Sequence, residues 1–184
     1  ALEQVTFPIR VMRALGATSL ILTSAVGGMD PDLRPADIVV VTDHINLMGD
    51  NPLIGPNDDR LGPRFPDMSR AYDRGYVELL EKIALDEKIP LKRGVLVAVA
   101  GPNLETAAEY RFLRRIGADI VGMSMVPETI VGVHGGMKVL GVSVVTDMAL
   151  PDALEPASIL AIVASAKKGE GKLTKLVVEF LRRA

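Results

Sequence analysis

Four short strings in this chain hold the residue types that chemistry needs. They are Thr23-Ser24-Ala25-Val26-Gly27-Gly28, Gly101-Pro102-Asn103-Leu104-Glu105-Thr106, Gly122-Met123-Ser124-Met125 and Thr146-Asp147-Met148. The first is a glycine-containing turn whose backbone N–H groups suit an oxyanion. The same glycines also suit a plain chain reversal. It is not a nucleotide-type phosphate loop, because the Lys and Ser/Thr of that loop are absent. Glu105 stands where a helix starts, so its carboxylate either accepts N–H donors from a ligand or serves the helix dipole. Met123 is apolar surface for a flat ring or ordinary core. Ser124 offers a hydroxyl to phosphate or caps the following turn. Asp147 ends an apolar strand, where a carboxylate requires partners, from a cap, an ion pair or a ligand.

Other chemistries are poorly represented. The chain has no Cys, which removes disulfides, thiolate nucleophiles and Cys metal sites together. Its two histidines, His44 and His134, are far apart. His44 reads as a hydrogen-bonded structural residue, and His134 as a helix C-terminal cap or cation. No metal site and no Ser-His-Asp arrangement is legible. Net charge is −2, with Lys and Arg scattered, so nothing favours nucleic acid or an anionic membrane. No apolar run approaches the roughly 20 residues of a spanning helix, and the first ten residues carry no signal-peptide pattern. The expected location is the cytoplasm.

The elements that must position these strings follow from periodicity. With 184 residues, 48% of them apolar, the chain has the size and composition of one soluble domain. Thr6 is expected to cap a helix with Pro8 in its first turn. Strands are expected over 19–23, 37–42, 94–100, 118–122 and 138–146, with 25–28 turning the chain after the first. Helices are expected over 73–87, 106–116 and 127–134. A last helix begins near Pro156 or Ser158, with Leu173, Leu176, Val177, Phe180 and Leu181 on its apolar stripe. Residues 48–66, rich in Gly, Pro, Asn and Asp, are too long for a simple connection. Alternating strands and helices predict an α/β fold, a mixed twisted β-sheet flanked by helices. The four strings then fall at strand ends, where such sheets bind ligands, and are expected to share one pocket.

The order of several strings carries a resemblance. Val5-Thr6-Phe7-Pro8-Ile9-Arg10-Val11, Asp43-His44-Ile45-Asn46-Leu47, Asn51-Pro52-Leu53-Ile54-Gly55-Pro56-Asn57-Asp58 and Arg64-Phe65-Pro66-Asp67-Met68-Ser69 precede Ala100 to Thr106 and Val121 to Glu128. Together they resemble the trimeric purine nucleoside phosphorylase family over nearly the whole chain. The resemblance implies a nucleoside phosphorylase-like fold, a homotrimer and a pentosyltransferase activity. The reaction would be reversible phosphorolysis of purine ribonucleosides or deoxyribonucleosides, with phosphate as co-substrate and no cofactor. It also implies roles. The Ala25 N–H and the Ser124 hydroxyl would hold phosphate. Leu104 would pack on the base, Glu105 would hydrogen-bond it, and Met123 would lie under the ribose. Phe65 would enter the neighbouring subunit's site. Asp147 stands where oxopurine enzymes of the family use Asn, which points toward 6-aminopurine acceptance.

The sequence departs from the family pattern at named places. The family's phosphate loop, phosphate-binding Arg and His-Tyr ribose motif do not occur, so residues 1–184 read as one N-terminally incomplete phosphorylase domain. No His stands near 156–158 for the ribose 5′-hydroxyl, and Leu96 occupies a position often held by Tyr. Two alternatives remain open: a methylthioadenosine phosphorylase and a non-catalytic purine-binding fragment.

Overall fold

A computed structural model describes residues 2–184. Its elements are α1 (Leu2–Ala14), β1 (Ser19–Gly28), β2 (Ile38–Leu47), α2 (Arg74–Asp86), β3 (Leu91–Val99), α3 (Ala107–Arg115), β4 (Ile120–Gly122), α4 (Val126–His134), β5 (Lys138–Met148) and α5 (Ile159–Arg183). The sheet is mixed, as expected, and its five strands close on themselves in the order β1-β4-β3-β2-β5. β1 runs parallel to β5, and β2 runs parallel to β3 and antiparallel to β5. The β-branched runs fit burial on both faces. Val39 and Val41 enter one apolar cluster while Ile38 and Val40 enter another. Helix α5 packs on β5 and β2, and α1 packs on α4.

Three local expectations need correction. Helix α1 begins at Leu2, so Pro8 lies inside it rather than in its first turn. Thr6 does not cap; its hydroxyl donates back to the Leu2 carbonyl at 2.9 Å, a bond available within a helix. Residues 25–28 do not turn the chain. β1 continues through Gly28 because β5 pairs with it along its full length. On α5, Leu176 and Phe180 are buried but Leu181 is exposed, because it is turned about 100° around the helix from Phe180 and lies off the packed face. Ser158 caps α5 by accepting from the Ala161 N–H.

The parallel-sheet rule also needs revision here. β4 runs antiparallel to β1 and pairs with it at only two positions, Gly27 with Val121 and Gly28 with Ile120. The ends of β4 and β1 therefore do not lie on one common edge. They pass each other at a short seam, and the cleft opens there.

Candidate functional site

The seam gathers the residues of all four strings. A cavity of about 350 Å³ is lined by Ala25, Val26, Gly27, Leu104, Glu105, Tyr110, Val121, Gly122, Met123, Ser124, Thr146, Asp147 and Ile162. Six of the seven candidate site residues thus line one cavity. The seventh, Phe65, is 87% exposed on the long loop and lines another hollow with His44, Asn46 and Arg64.

Asp147 is aimed by a β-bulge. Val26 pairs with Val145, but the next residue, Gly27, pairs with Asp147, so Thr146 is the extra residue in β5. A bulge bends its strand and redirects the following side chain. The buried Thr146 hydroxyl donates to Asp147 Oδ1 at 2.7 Å and lies 3.2 Å from the Val26 carbonyl. Gly27 allows the close approach of β4: a Cβ there would stand 3.2 Å from Val121 Cγ1, while its 3.8 Å to Asp147 Oδ2 would be ordinary contact.

Glu105 immediately precedes the α3 cap. Thr106 and Glu109 form a reciprocal capping box, so the orphan N–H groups of α3 are served without Glu105. Its Oε1 is buried and has no hydrogen-bond partner among the described residues. Such an acceptor carries a desolvation cost of about 1–3 kcal/mol until a donor arrives. Helix side chains point toward the N-terminus, and Tyr110, one turn into α3, reaches back toward Glu105. Burial, the hydrogen bond to Glu105 and the charges of Glu105 and Asp147 hold the Tyr110 hydroxyl well above its usual range.

Met123 and Ser124 lie between β4 and α4. Gly101 takes φ 64, a left-handed conformation that favours glycine, and a Cβ there would press on the Met123 side chain, which closes against this loop. Ser124 is exposed and does not cap α4. The cap position is Met125, at φ 75 and ψ −44, with no side-chain cap bond. A buried non-glycine residue with positive φ is uncommon, and the Ser124 hydroxyl just before it lies at the start of α4. A helix N-terminus of this kind favours an anion.

A second cavity, of about 540 Å³, adjoins the first through Leu104, Glu105, Tyr110, Asp147 and Ile162 and extends to Leu154, Glu155 and Ser158. No Lys, Arg or His among the described residues lines either cavity. Lys167 lines a separate groove of about 580 Å³ that shares Ala25. No group of His and acidic residues suited to a metal occurs among the described residues.

Sequence reasoning missed Tyr110 and Ile162, and it named Thr146 within a candidate string without giving it a role. Tyr110 was legible in principle, as the aromatic one turn into the helix that follows Glu105. Thr146 depended on a bulge, and Ile162 on the docking of α5, which local sequence does not encode.

Comparison with known proteins agrees with this geometry. The profile of the phosphorylase superfamily matches residues 1–182. Purine nucleoside phosphorylase 1 of Bacillus subtilis is 51% identical over 181 residues, covering 97% of this chain and 67% of that protein. Isoform 2 of the Schistosoma mansoni purine nucleoside phosphorylase, solved with cytosine and ribose-1-phosphate, superposes with a TM-score of 0.96 at 36% identity, covering 100% of this chain and 67% of that one. The Schistosoma mansoni enzyme solved with inosine gives 0.93 at 35% identity, covering 100% and 68%. The chain thus spans about two thirds of the length of the relatives it matches. With its fold, its ordered motifs and these similarities in agreement, the chain belongs to the phosphorylase superfamily, alongside the purine nucleoside phosphorylases.

Proposed function

We propose that this chain carries the base- and ribose-binding part of a purine nucleoside phosphorylase, which exchanges the purine of a nucleoside for phosphate at C1′. The observation that carries the reading is Glu105 Oε1, a buried acceptor without a partner on the wall of a nucleoside-sized cleft. A purine ring supplies the N–H donor it lacks. Leu104 offers apolar surface to the ring, and Met123 offers the same to the ribose. Ser124 and the Ala25 N–H would hold phosphate.

The chemistry follows from charge. As the glycosidic bond breaks, C1′ becomes cationic and the departing purine becomes negative. Fixed hydrogen bonds and a proton moving toward N7 stabilise that base. Asp147 can accept from N7–H or from a 6-amino group. Phosphate brings its own negative charge beside C1′ and captures it with inversion. Both cavities are acidic, so phosphate needs a cation from elsewhere. In our reading it comes from the third of the relatives' length that these residues do not span, or from Lys167 across the shared Ala25.

Residues 1–184 act in this reading as one phosphorylase domain, assembled as a homotrimer in which Phe65 enters the neighbouring site. No described helix is long and apolar enough to cross a membrane, and the reaction, with soluble substrates, fits the cytoplasm. A methylthioadenosine phosphorylase is the second reading. It is favoured by Asp147 and by the apolar Leu154, Ala161 and Ile162 in the adjoining cavity.

Glu105→Ala tests the first reading. Calorimetry with hypoxanthine and adenine should show base binding in the parent and a loss of about 1.5–3 kcal/mol in the variant. Phosphate-dependent release of hypoxanthine from inosine, compared with base release from methylthioadenosine, ranks the two enzymes. Equal base affinity in a folded Glu105→Ala variant would remove the reading.

A further inference from the structure

The cavity that adjoins the cleft is the larger of the two, at about 540 Å³ against about 350 Å³. The wall they share includes Leu104, Glu105 and Asp147, the residues given to the base above. Ala25, Met123 and Ser124, given to phosphate and ribose, line the cleft alone. The second cavity therefore joins the cleft at its base end. Its outer wall, residues 149–158, is tied down along its length. The Ala149 N–H donates to the Gly28 carbonyl at 2.8 Å where the segment leaves β5. Arg111 Nη2 on α3 donates to Asp152 Oδ1 at 2.9 Å in its middle, and Ser158 caps α5 at its end. Met148, Leu154, Ala161 and Ile162 make much of the lining apolar, and its charged groups are the acids Glu105, Asp147 and Glu155. An anionic group would meet only like charge there.

We propose that this second cavity is a subsite for a neutral, apolar substituent on position 6 of the purine. The ligand class is the N6-substituted 6-aminopurines, with an arylmethyl group on the exocyclic nitrogen. This rests on the reading of the cleft as a purine site. In the ring, C6 lies between N1 and C5, and N7 follows C5. A purine whose N1 edge faces Glu105 and whose N7 edge faces Asp147 directs its 6-substituent between the two carboxylates. Both carboxylates stand where the cavities join. A secondary amine keeps one N–H for Asp147, which as a carboxylate only accepts, and its arm passes on into the second cavity. A 2-amino group beside N1 supplies a donor to the buried Glu105 Oε1. Contact with Leu154, Ala161 and Ile162 then removes the arm from water, which is the source of its affinity.

The test is calorimetry with a matched pair, 2,6-diaminopurine and 2-amino-6-(benzylamino)purine, on the parent and on Ala161→Trp. Ala161 lines only the second cavity and is exposed in the first turn of α5, so an indole there occupies the subsite without touching the core. The benzyl compound should bind the parent roughly tenfold to hundredfold more tightly than 2,6-diaminopurine, the scale of burying one phenyl ring. In Ala161→Trp that advantage should vanish while 2,6-diaminopurine binds as before, which also shows that the variant is folded. Equal affinities in the parent, or an advantage that survives Ala161→Trp, would overturn the subsite. The base site would still stand if 2,6-diaminopurine binds and Glu105→Ala weakens it. If Ala161→Trp weakens methylthioadenosine and the benzyl group brings no gain, the cavity serves the 5′ carbon and the position-6 subsite is overturned. If neither purine binds the parent, the purine-site reading fails and the subsite fails with it.

Discussion

At the scale of the residue, position 147 sets a testable preference. An ionised Asp only accepts hydrogen bonds, which suits a 6-amino group and repels a 6-oxo oxygen. Asn donates and accepts, so it suits both O6 and N7–H. The Thr146 hydroxyl already donates to Oδ1 at 2.7 Å, which leaves Oδ2 for the ligand. The Asp147→Asn variant should therefore move the adenosine-to-inosine ratio of binding, and of kcat/KM where turnover is present, toward inosine by roughly tenfold to hundredfold. Affinities measured across pH 5–8 decide it. An unchanged ratio over the whole range would mean that Asp147 does not read position 6.

At the scale of the element, the long loop is held to the helices by a histidine. Arg10 Nη1 on α1 lies 2.7 Å from His134 Nδ1 on α4, and His134 Nε2 lies 3.3 Å from Asn57 Oδ1 in the loop. Arg can only donate, so Nδ1 accepts and the Nε2–H donates to Asn57. Burial first, and the Arg10 charge second, lower the pKa of His134 in the fold. The unfolded chain, with an ordinary His near pKa 6.5, then binds more protons than the folded one below that pH. This share of stability is fully present above about pH 6.5 and is lost as pH falls through that value toward the lowered folded pKa. His44 shifts the same way, chiefly through burial. Melting temperature should thus fall from pH 7 to pH 5, and less steeply in His134→Gln, since Gln can accept from Arg10 and donate to Asn57 without titrating. Parallel melting curves for the two proteins across that range would show that His134 carries no such linkage.

Helix α5 supplies a paired stability test. Gly169 and Gly171 each weaken the helix by about 1 kcal/mol relative to Ala. A Cβ at Gly171 meets nothing within 4 Å, whereas one at Gly169 would stand 2.5 Å from Val144 Cγ1. Gly171→Ala should therefore stabilise by up to about 1 kcal/mol. Gly169→Ala forces α5 off β5, and an overpacking cost of about 1–3 kcal/mol equals or exceeds the helix gain. Denaturant melts should separate the two, with Gly169→Ala the less stable. The opposite order would mean that α5 does not lie this close to β5.

For the whole molecule, the open question is what completes the site. Phe65 is exposed, as are Ile54 at 67% and Leu61 at 48% on the same loop. That apolar loop surface would be covered in the proposed trimer. Sedimentation should give a mass of three chains. Mixing subunits tests the shared site more sharply. A Phe65→Ala subunit keeps its own Glu105 and can borrow Phe65 from a Glu105→Ala neighbour. Refolded mixtures should bind inosine better than the average of the two pure variants. Binding that merely equals that average would end the trans role of Phe65.

Much of this was legible along the chain. β-branched runs marked strands because such residues suit a sheet covered on both faces, and helices were legible over 106–116 and from near Pro156 or Ser158, where the structure shows Thr106 and Ser158 as the caps. The ordered motifs identified the family, and with it the candidate residues Ala25, Leu104, Glu105, Met123, Ser124 and Asp147. All of these are local patterns or fixed strings, which a one-dimensional reading can hold. Tertiary structure decided the rest. It showed that β1 runs on through Gly28, that β4 meets β1 at a two-pair seam, and that the cleft opens there. It also placed the bulge that turns Asp147 inward and brought Tyr110 and Glu105 to one cavity. The physical reason is common to these cases. Strand direction, register and the end of a strand are set by partners far away in sequence, and a shift of one residue in pairing moves a side chain to the opposite face.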